Sequence, residues 1–565
     1  MGMPCGSLWT EETVDRLIAR DCLNRRRFLH LLGGAAGAAM LGRSLSAATA
    51  LAQDAPAPGG TLRVVLPMEP DSLDPHRTPS RYMWMVGLAV YDPLVISDNE
   101  ANIYPNLAKS WEISPDQLTY TFTLRDDVTF HDGTPFNAEA VKYNYDRVVD
   151  PKTGSLLSND DIGPYDSTTV VDDYTVQVKM KEVYGPLLRM LSLMEFAIIS
   201  PTAAEAAGLD NYGRSPVGTG PFKFVEWIPQ QSMTFERNTD YQWGSPDIYR
   251  NSGPAFLDGV QYQFITEPQT RLAALEAGEV DSILNVPELD VERLQSGGEF
   301  SVEKFPAMGH PTAFVLNTTK PPTDDINVRR AINKALDRDA INMSLFSGEV
   351  EPAFGPISPA TFSYWPDVET INAYDPAEAD RLLQESGWTK EGEFYSKDGQ
   401  ALTIELYTFG TTGEIGEAVQ GQLKKNGISS NVNNLDWSEQ KDIAFRGLHN
   451  GCLVTFGSPD PRIMKLLYHS ENMRENGWAW SHFMEANPDE QAALDAALDA
   501  GEMTTDPAER QQHYTEAQRI IVENALELSV KNDFQIVGLA PPVKGWIMDD
   551  ANYHPRIYNV SLAQE

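Results

Sequence analysis

Cysteine is scarce in this 565-residue chain: there are three, at positions 5, 22 and 452. The first two lie in an N-terminal segment with the features of a cleaved leader, so Cys452 is left alone and no internal disulfide is expected. Basic side chains are also in deficit, with 44 Lys and Arg against 81 Asp and Glu and a formal net charge of −37. A surface so acidic repels nucleic acid and anionic lipid and suits a freely diffusing protein. Past the N-terminal segment no apolar run approaches the ~20 residues that span a bilayer. The motifs of common catalysts are missing too: no G-x-S-x-G elbow, no H-E-x-x-H, no G-x-x-x-x-G-K and no G-x-G-x-x-G. The nine histidines, at 30, 76, 131, 310, 449, 469, 482, 513 and 554, include no pair three or four apart, so no local metal pair exists. Neither a catalytic residue nor a cofactor or metal ligand is expected. His131-Asp132-Gly133 reads as a turn rather than a dyad, and Asp126-Asp127 and Asp324-Asp325 as solvated turns.

The N-terminal segment reads Asn24-Arg25-Arg26-Arg27-Phe28-Leu29-His30, then a Gly/Ala-rich apolar stretch from Leu31 to Leu41, then a small-x-small site at Ala50-Leu51-Ala52. A charged region, a short apolar region and such a site describe an export signal. The arginine pair followed by Phe-Leu resembles the twin-arginine type, which carries folded proteins across the inner membrane. The expectation is a signal peptide over 1–52 and a mature chain free in the periplasm. Cys22 precedes the apolar stretch rather than the cleavage site, so no lipid anchor is expected.

The remaining length exceeds the ~250–300 residues at which a single core stops growing, so at least two lobes are expected. Thr61 to Leu66 reads as a strand, followed by a loop broken by Pro67, Pro70, Pro75 and Pro79. Leu118, Tyr120, Phe122 and Leu124 alternate with threonines as a half-buried strand, and Tyr174 to Met180 repeats the pattern. Val128 to Phe130 reads as a short strand. Asn137 caps a helix whose apolar stripe is Val141, Tyr145 and Val148. Val260 to Ile265 predicts a strand and Gln269 to Ala277 a helix. Helical spacing runs from Val328 through Leu345 to Gly348, and a second helix starts at Asp375-Pro376 and stops at Gly387. Leu402 to Tyr407 is a predicted strand, with a helix after Gly413 to about Lys425. Glu509 to Leu528 reads as one long helix and Ile536 to Leu539 as a strand. The mixture predicts an α/β (mixed α+β) fold.

Three blocks give a more specific indication. Leu107, Ala108, Trp111, Phe122, Leu124, Arg125, Phe130, His131, Asp132 and Gly133 form the first. Gly218-Thr219-Gly220-Pro221-Phe222 is the second, with Asn238 to Trp243 loosely attached. The third holds Asn317, Pro321, Pro322, Arg329, Ala331, Ile332, Ala335, Asp337 and Arg338. Together they resemble the family 5 solute-binding proteins of ABC importers, the peptide/nickel/oligopeptide class. The resemblance implies a two-lobe periplasmic-binding-protein fold that shuts on a small solute by hinge motion and delivers it to an inner-membrane ABC permease. It implies lobe one over 53–308 plus 530–565, with 101–214 as an extra subdomain, and lobe two over 309–529. Strands near 305–316 and 527–533 would be the hinge. It further implies a monomer that is not an enzyme. A secreted enzyme or a chemoreceptor-type module on the same fold stays open as an alternative.

Ligands of open α/β sheets sit at the carboxyl ends of strands. Candidate contacts are therefore Arg81, Tyr82 and Trp84 after the first strand; Thr411 and Thr412 ahead of a helix; and Phe456, Ser458 and Asp460, followed by Trp478 and Trp480. His310, beside the presumed hinge, joins them. In peptide binders of the family the resemblance implies Gly-Trp-x-x-Asp at the third loop, with the Asp holding the peptide ammonium. Here Val454-Thr455-Phe456-Gly457-Ser458 stands instead. A peptide, an opine and a sugar conjugate all remain open as ligands.

Overall fold

In the strand Thr61–Leu66, Leu62, Val64, Val65 and Leu66 are buried while Arg63 turns to Asp281, the pattern of a strand largely covered on both faces. In the computed structural model, which describes residues 58–563 apart from 79, 156, 475–476, 550 and 552, it lies inside a seven-stranded sheet. The order is Ser301–Pro306, Phe534–Leu539, Ser282–Leu284, Thr61–Leu66, Gly259–Phe264, Ser232–Arg237 and Phe222–Ile228. Thr61–Leu66 runs parallel to both neighbours, and the remaining pairings are antiparallel. The leader segment expected over 1–52 lies outside the described residues.

A four-stranded antiparallel sheet, in the order Ala108–Ile113, Thr119–Leu124, Thr175–Met180 and Tyr165–Asp172, shares the core of the first sheet. The helix Ala138–Val149 packs on it. Asn137 caps that helix by accepting from the Ala140 amide at 3.0 Å, and Val141, Tyr145 and Val148 are buried as the spacing requires.

A six-stranded sheet carries a second core. Its order is Glu351–Pro352, Glu527–Asn532, Gly309–Leu316, Gly451–Gly457, Thr403–Phe409 and Ser429–Leu435. The helices Ile326–Lys334, Arg338–Phe346, Pro376–Glu385 and Gly413–Lys425 lay apolar faces on it. A satellite cluster under Ile463–Tyr468, Pro488–Glu502 and Pro507–Glu523 completes this half. The two lobes are thus built on separate sheets. The chain passes between them at Ala307–Met308 and again at Asp533, where the Ala307 amide donates to the Asp533 carbonyl at 2.8 Å.

Three elements differ from the sequence reading. Val128 to Phe130 is not a strand, because Thr129 makes only one bridge, to Pro135, before the His131-Asp132-Gly133 turn. The helical spacing from Val328 to Leu345 is divided into two helices at Asp337, whose side chain accepts from the Ala340 amide and starts the second. The last long helix ends at Glu523 rather than Leu528. Ala525 adopts φ +47°, Leu526 is buried, and Leu528 and Val530 are then buried in the strand Glu527–Asn532. Sheet pairing overrides helical propensity there, since Glu527–Asn532 fills the slot between two other strands.

Candidate functional site

Between the sheets lies a cavity of about 1320 Å³. One wall is the helix Arg81–Val90, whose Arg81, Trp84 and Leu88 share a face by their spacing of three and four. The Gly218–Gly220 turn anchors this helix. The Gly220 amide donates to the Val90 carbonyl at 2.8 Å, and a Cβ on Gly218 would stand 2.2 Å from the same oxygen. Thr219, Tyr241 and Trp243 converge on the buried Asp92 carboxylate at 2.9, 3.1 and 3.1 Å. These family-like residues therefore hold the wall and do not line the cavity.

The opposite wall is the end of Gly451–Gly457 with the loop after it: Thr455, Phe456, Gly457, Ser458, Arg462 and Trp478. Phe456 meets Trp478 edge to face at 4.8 Å, and Trp478 stacks on Trp480 at 5.5 Å. Lys531, Asp533 and Phe534, from the crossing segment, close one side. Burial would raise the Asp533 carboxyl, but the Lys531 ammonium and the hydroxyls of Thr455 and Thr312 outweigh it and hold it low.

The predicted residues separate clearly. Arg81, Trp84, Phe456, Ser458 and Trp478 come together around the cavity, from both lobes. Tyr82 is half-buried beside the cavity and accepts a long 3.4 Å bond from Arg81 without lining it. Trp480 is buried behind Trp478, its Nε1 donating to the Gly477 carbonyl. His310 is buried in the second lobe, with Nε2 2.9 Å from Glu527 Oε2, and does not reach the cavity. Asp460 is committed to Arg510, whose Nη2 donates to both carboxylate oxygens at 2.9 Å, and it does not line the cavity either. Thr412 closes its own turn, donating to the Phe409 carbonyl, while Thr411 edges a separate surface pocket of about 450 Å³. Among the described residues no group of three or more His, Cys, Asp or Glu could hold a metal ion.

Several lining residues carried no such expectation: Tyr184, Glu195, Arg462, Tyr553 and His554. His554 Nδ1 is held by Asp549 at 2.5 Å, and its ring meets Trp84 edge to face at 5.5 Å. They come from segments far apart in the chain, which no local spacing reveals. Glu195 alone had a local signal, as the one charged residue within the largely apolar run Met190 to Ile199.

The lobes also touch directly. Arg462 pairs with Asp161, the Gly185 amide donates to the Glu502 carbonyl at 2.6 Å, and Thr505 Oγ1 donates to Gln117 at 2.7 Å.

The family model described as bacterial extracellular solute-binding proteins, family 5 Middle, matches residues 102–475. The glutathione-binding protein GsiB of Salmonella typhi is 28% identical over 503 residues, covering 85% of this chain and 91% of its own. A putative ABC transporter peptide-binding protein of Brucella ovis is 30% identical over 466 residues, 78% of this chain and 81% of its own. The crystal structure of NikA from Brucella suis in complex with Fe(III)-EDTA superposes with a TM-score of 0.79 at 29% identity, covering 89% of this chain and all of that one.

Proposed function

The chain belongs to the family 5 bacterial extracellular solute-binding proteins, and from that premise we propose that the cavity between its lobes is where the substrate-binding component of an ABC transporter takes hold of its solute. The observation that carries this reading is one cavity lined from both lobes, by Arg81 and Trp84 on one side and Phe456, Ser458 and Trp478 on the other. A ligand touching both walls favours the shut arrangement, because it gains both sets of contacts only there. The lobes are taken as 53–308 plus 530–565 and 309–529, with 101–214 as a subdomain of the first. The two crossings at 307–308 and 533 serve as the hinge.

At about 1320 Å³ the cavity exceeds the ~300–1,000 Å³ of ordinary small-molecule pockets. It admits a solute of peptide or opine size with water around it. GsiB is named for glutathione and the Brucella ovis protein for peptides, which makes a short peptide or γ-glutamyl compound the first class to try. The protein acts as a monomer in the periplasm, without a lipid anchor and without turning its solute over.

Thermal shift against peptides, γ-glutamyl peptides, opines and sugar conjugates tests this. A ligand at ~100-fold excess over Kd stabilises by roughly 2.7 kcal/mol and is recovered unchanged. Turnover of the stabilising compound would instead support the enzyme alternative.

A further inference from the structure

Glu195 lies in the 3₁₀ turn Met194–Phe196, in the cavity wall, and is 1% exposed. Apart from a proton it can share with the neighbouring Asp161 carboxylate, neither of its carboxylate oxygens receives a hydrogen-bond donor from the described residues. Its charged neighbours are Asp161, on the same side, and Arg462, reaching over from the other lobe. The local balance is negative. Arg462 is shared between Asp161 and Glu502, and Lys465 among Glu502, Asp499 and Glu471, so with Glu195 five acids face two cations. Burial, then the charge of Asp161, pushes the Glu195 carboxyl well above the usual carboxylate range. A carboxyl kept dry with its oxygens unmatched is costly for folding alone, and such a cost is tolerated where a ligand meets it.

We propose that Glu195, together with Asp161, is the seat for a ligand's ammonium, so that the solute is a primary or secondary amine of amino-acid-like chemistry. This rests on the capture reading above. The N–H donors of one ammonium match the oxygens that lack them, and its single charge offsets the local surplus. A divalent metal is a poorer match, since only these two carboxylates adjoin and Arg462 stands against them. The seat belongs to the first lobe and the Phe456–Ser458 loop and Trp478 to the second, so the amine is held by the first lobe and the rest of the solute is left for the second.

The test uses the purified full chain and E195Q, with glutathione, a tetrapeptide and mannopinic acid, each beside its N-acetylated form. At least one free amine is expected to stabilise the wild type, its acetylated form not to, and E195Q to bind that amine about 30-fold more weakly or worse. Ligand-free E195Q is expected to melt at or above the wild-type temperature, because the unmatched carboxyl is gone. A ligand that binds equally well when acetylated, or to E195Q, would overturn the ammonium seat and leave the capture reading intact. A ligand-free E195Q that melts several degrees lower would also overturn it, by making Glu195 a structural acid. Silence from every compound, free and acetylated, would count against the capture reading itself and take this inference with it.

Discussion

Arg462 and Asp161, 301 residues apart in the chain, form an ion pair that joins the two lobes at the cavity. Neither side chain is fully dry, at 23% and 15% exposed, so the pair alone holds the lobes weakly. Its neighbours matter more. Gly185 lies so close to the other lobe that a Cβ there would stand 1.9 Å from the Thr504 carbonyl oxygen.

That closeness predicts the behaviour of Gly185→Val. No side chain fits between Gly185 and Thr504 while the Gly185 amide still reaches the Glu502 carbonyl. The variant is expected to fold, because each lobe keeps its own core, but to hold the lobes apart. Apparent ligand affinity falls in proportion to the shut fraction, by about tenfold or more. Small-angle scattering checks this: the wild type contracts when ligand is added, and G185V does not. A variant that contracts normally would show that this contact does not limit closure.

The pH dependence of stability has an identifiable source in His76. Its Nδ1 faces the Arg147 guanidinium at 2.8 Å and its Nε2 faces the Ala197 carbonyl at 3.1 Å, an arrangement that fits only the neutral ring. Burial first, and Arg147 second, lower its pKa from 6.5 to about 4. The unfolded chain therefore takes up a proton that the folded chain refuses. Stability from this group is fully present above pH 6.5 and is lost as pH falls toward 4, by up to about 3 kcal/mol. Melting temperature measured across that window should fall, and His76→Gln should flatten part of the slope. An unchanged slope in the variant would move the effect to other groups, such as His131, also lowered to about 4 by burial.

The strands and caps were the legible part of this molecule. Thr61–Leu66, the Asn137 cap and the Asp375-Pro376 start follow from alternation and capping chemistry, which act within a few residues. The cavity was legible only in part. Arg81, Trp84, Phe456, Ser458 and Trp478 sit in loops or on helix faces that follow strands, where ligand sites of α/β sheets form. His310 and Asp460 looked equally suitable in sequence but found partners inside the second lobe, Glu527 and Arg510. A polar side chain's partner is set by tertiary distance, so sequence cannot tell a satisfied buried group from a waiting one. Glu195 is the waiting kind, and its isolation in an apolar run is the only local trace of that.

Trp478 and Trp480 are stacked at 5.5 Å yet should respond differently to truncation. Trp478 lines the cavity, with Phe456 against its edge. Trp478→Ala is expected to cost about 1–2 kcal/mol in binding, roughly 5- to 30-fold in Kd, with a smaller loss of stability. Trp480 is 2% exposed and packs with Val315, Cys452 and Val454. Trp480→Ala leaves a large void and should cost about 3–5 kcal/mol of stability. Calorimetric binding beside a melting curve separates the two. Equal binding losses with equal melting temperatures would mean that the stack works as one unit.

Asp460 departs most sharply from the Gly-Trp-x-x-Asp pattern that peptide binders of the family carry in this loop. Its carboxylate is buried, both oxygens receive Arg510, and Arg462 N donates to Oδ1 at 3.0 Å. Asp460→Ala strips a buried guanidinium of its counter-charge, a loss of about 3–5 kcal/mol. The expected outcome is a lower melting temperature with little change in Kd for the protein that stays folded. The double variant Asp460→Ala/Arg510→Met should recover part of the stability, since it removes the stranded charge as well. If Asp460→Ala abolished binding while melting normally, the carboxylate would face the ligand after all, and its pairing with Arg510 would have to break when solute enters.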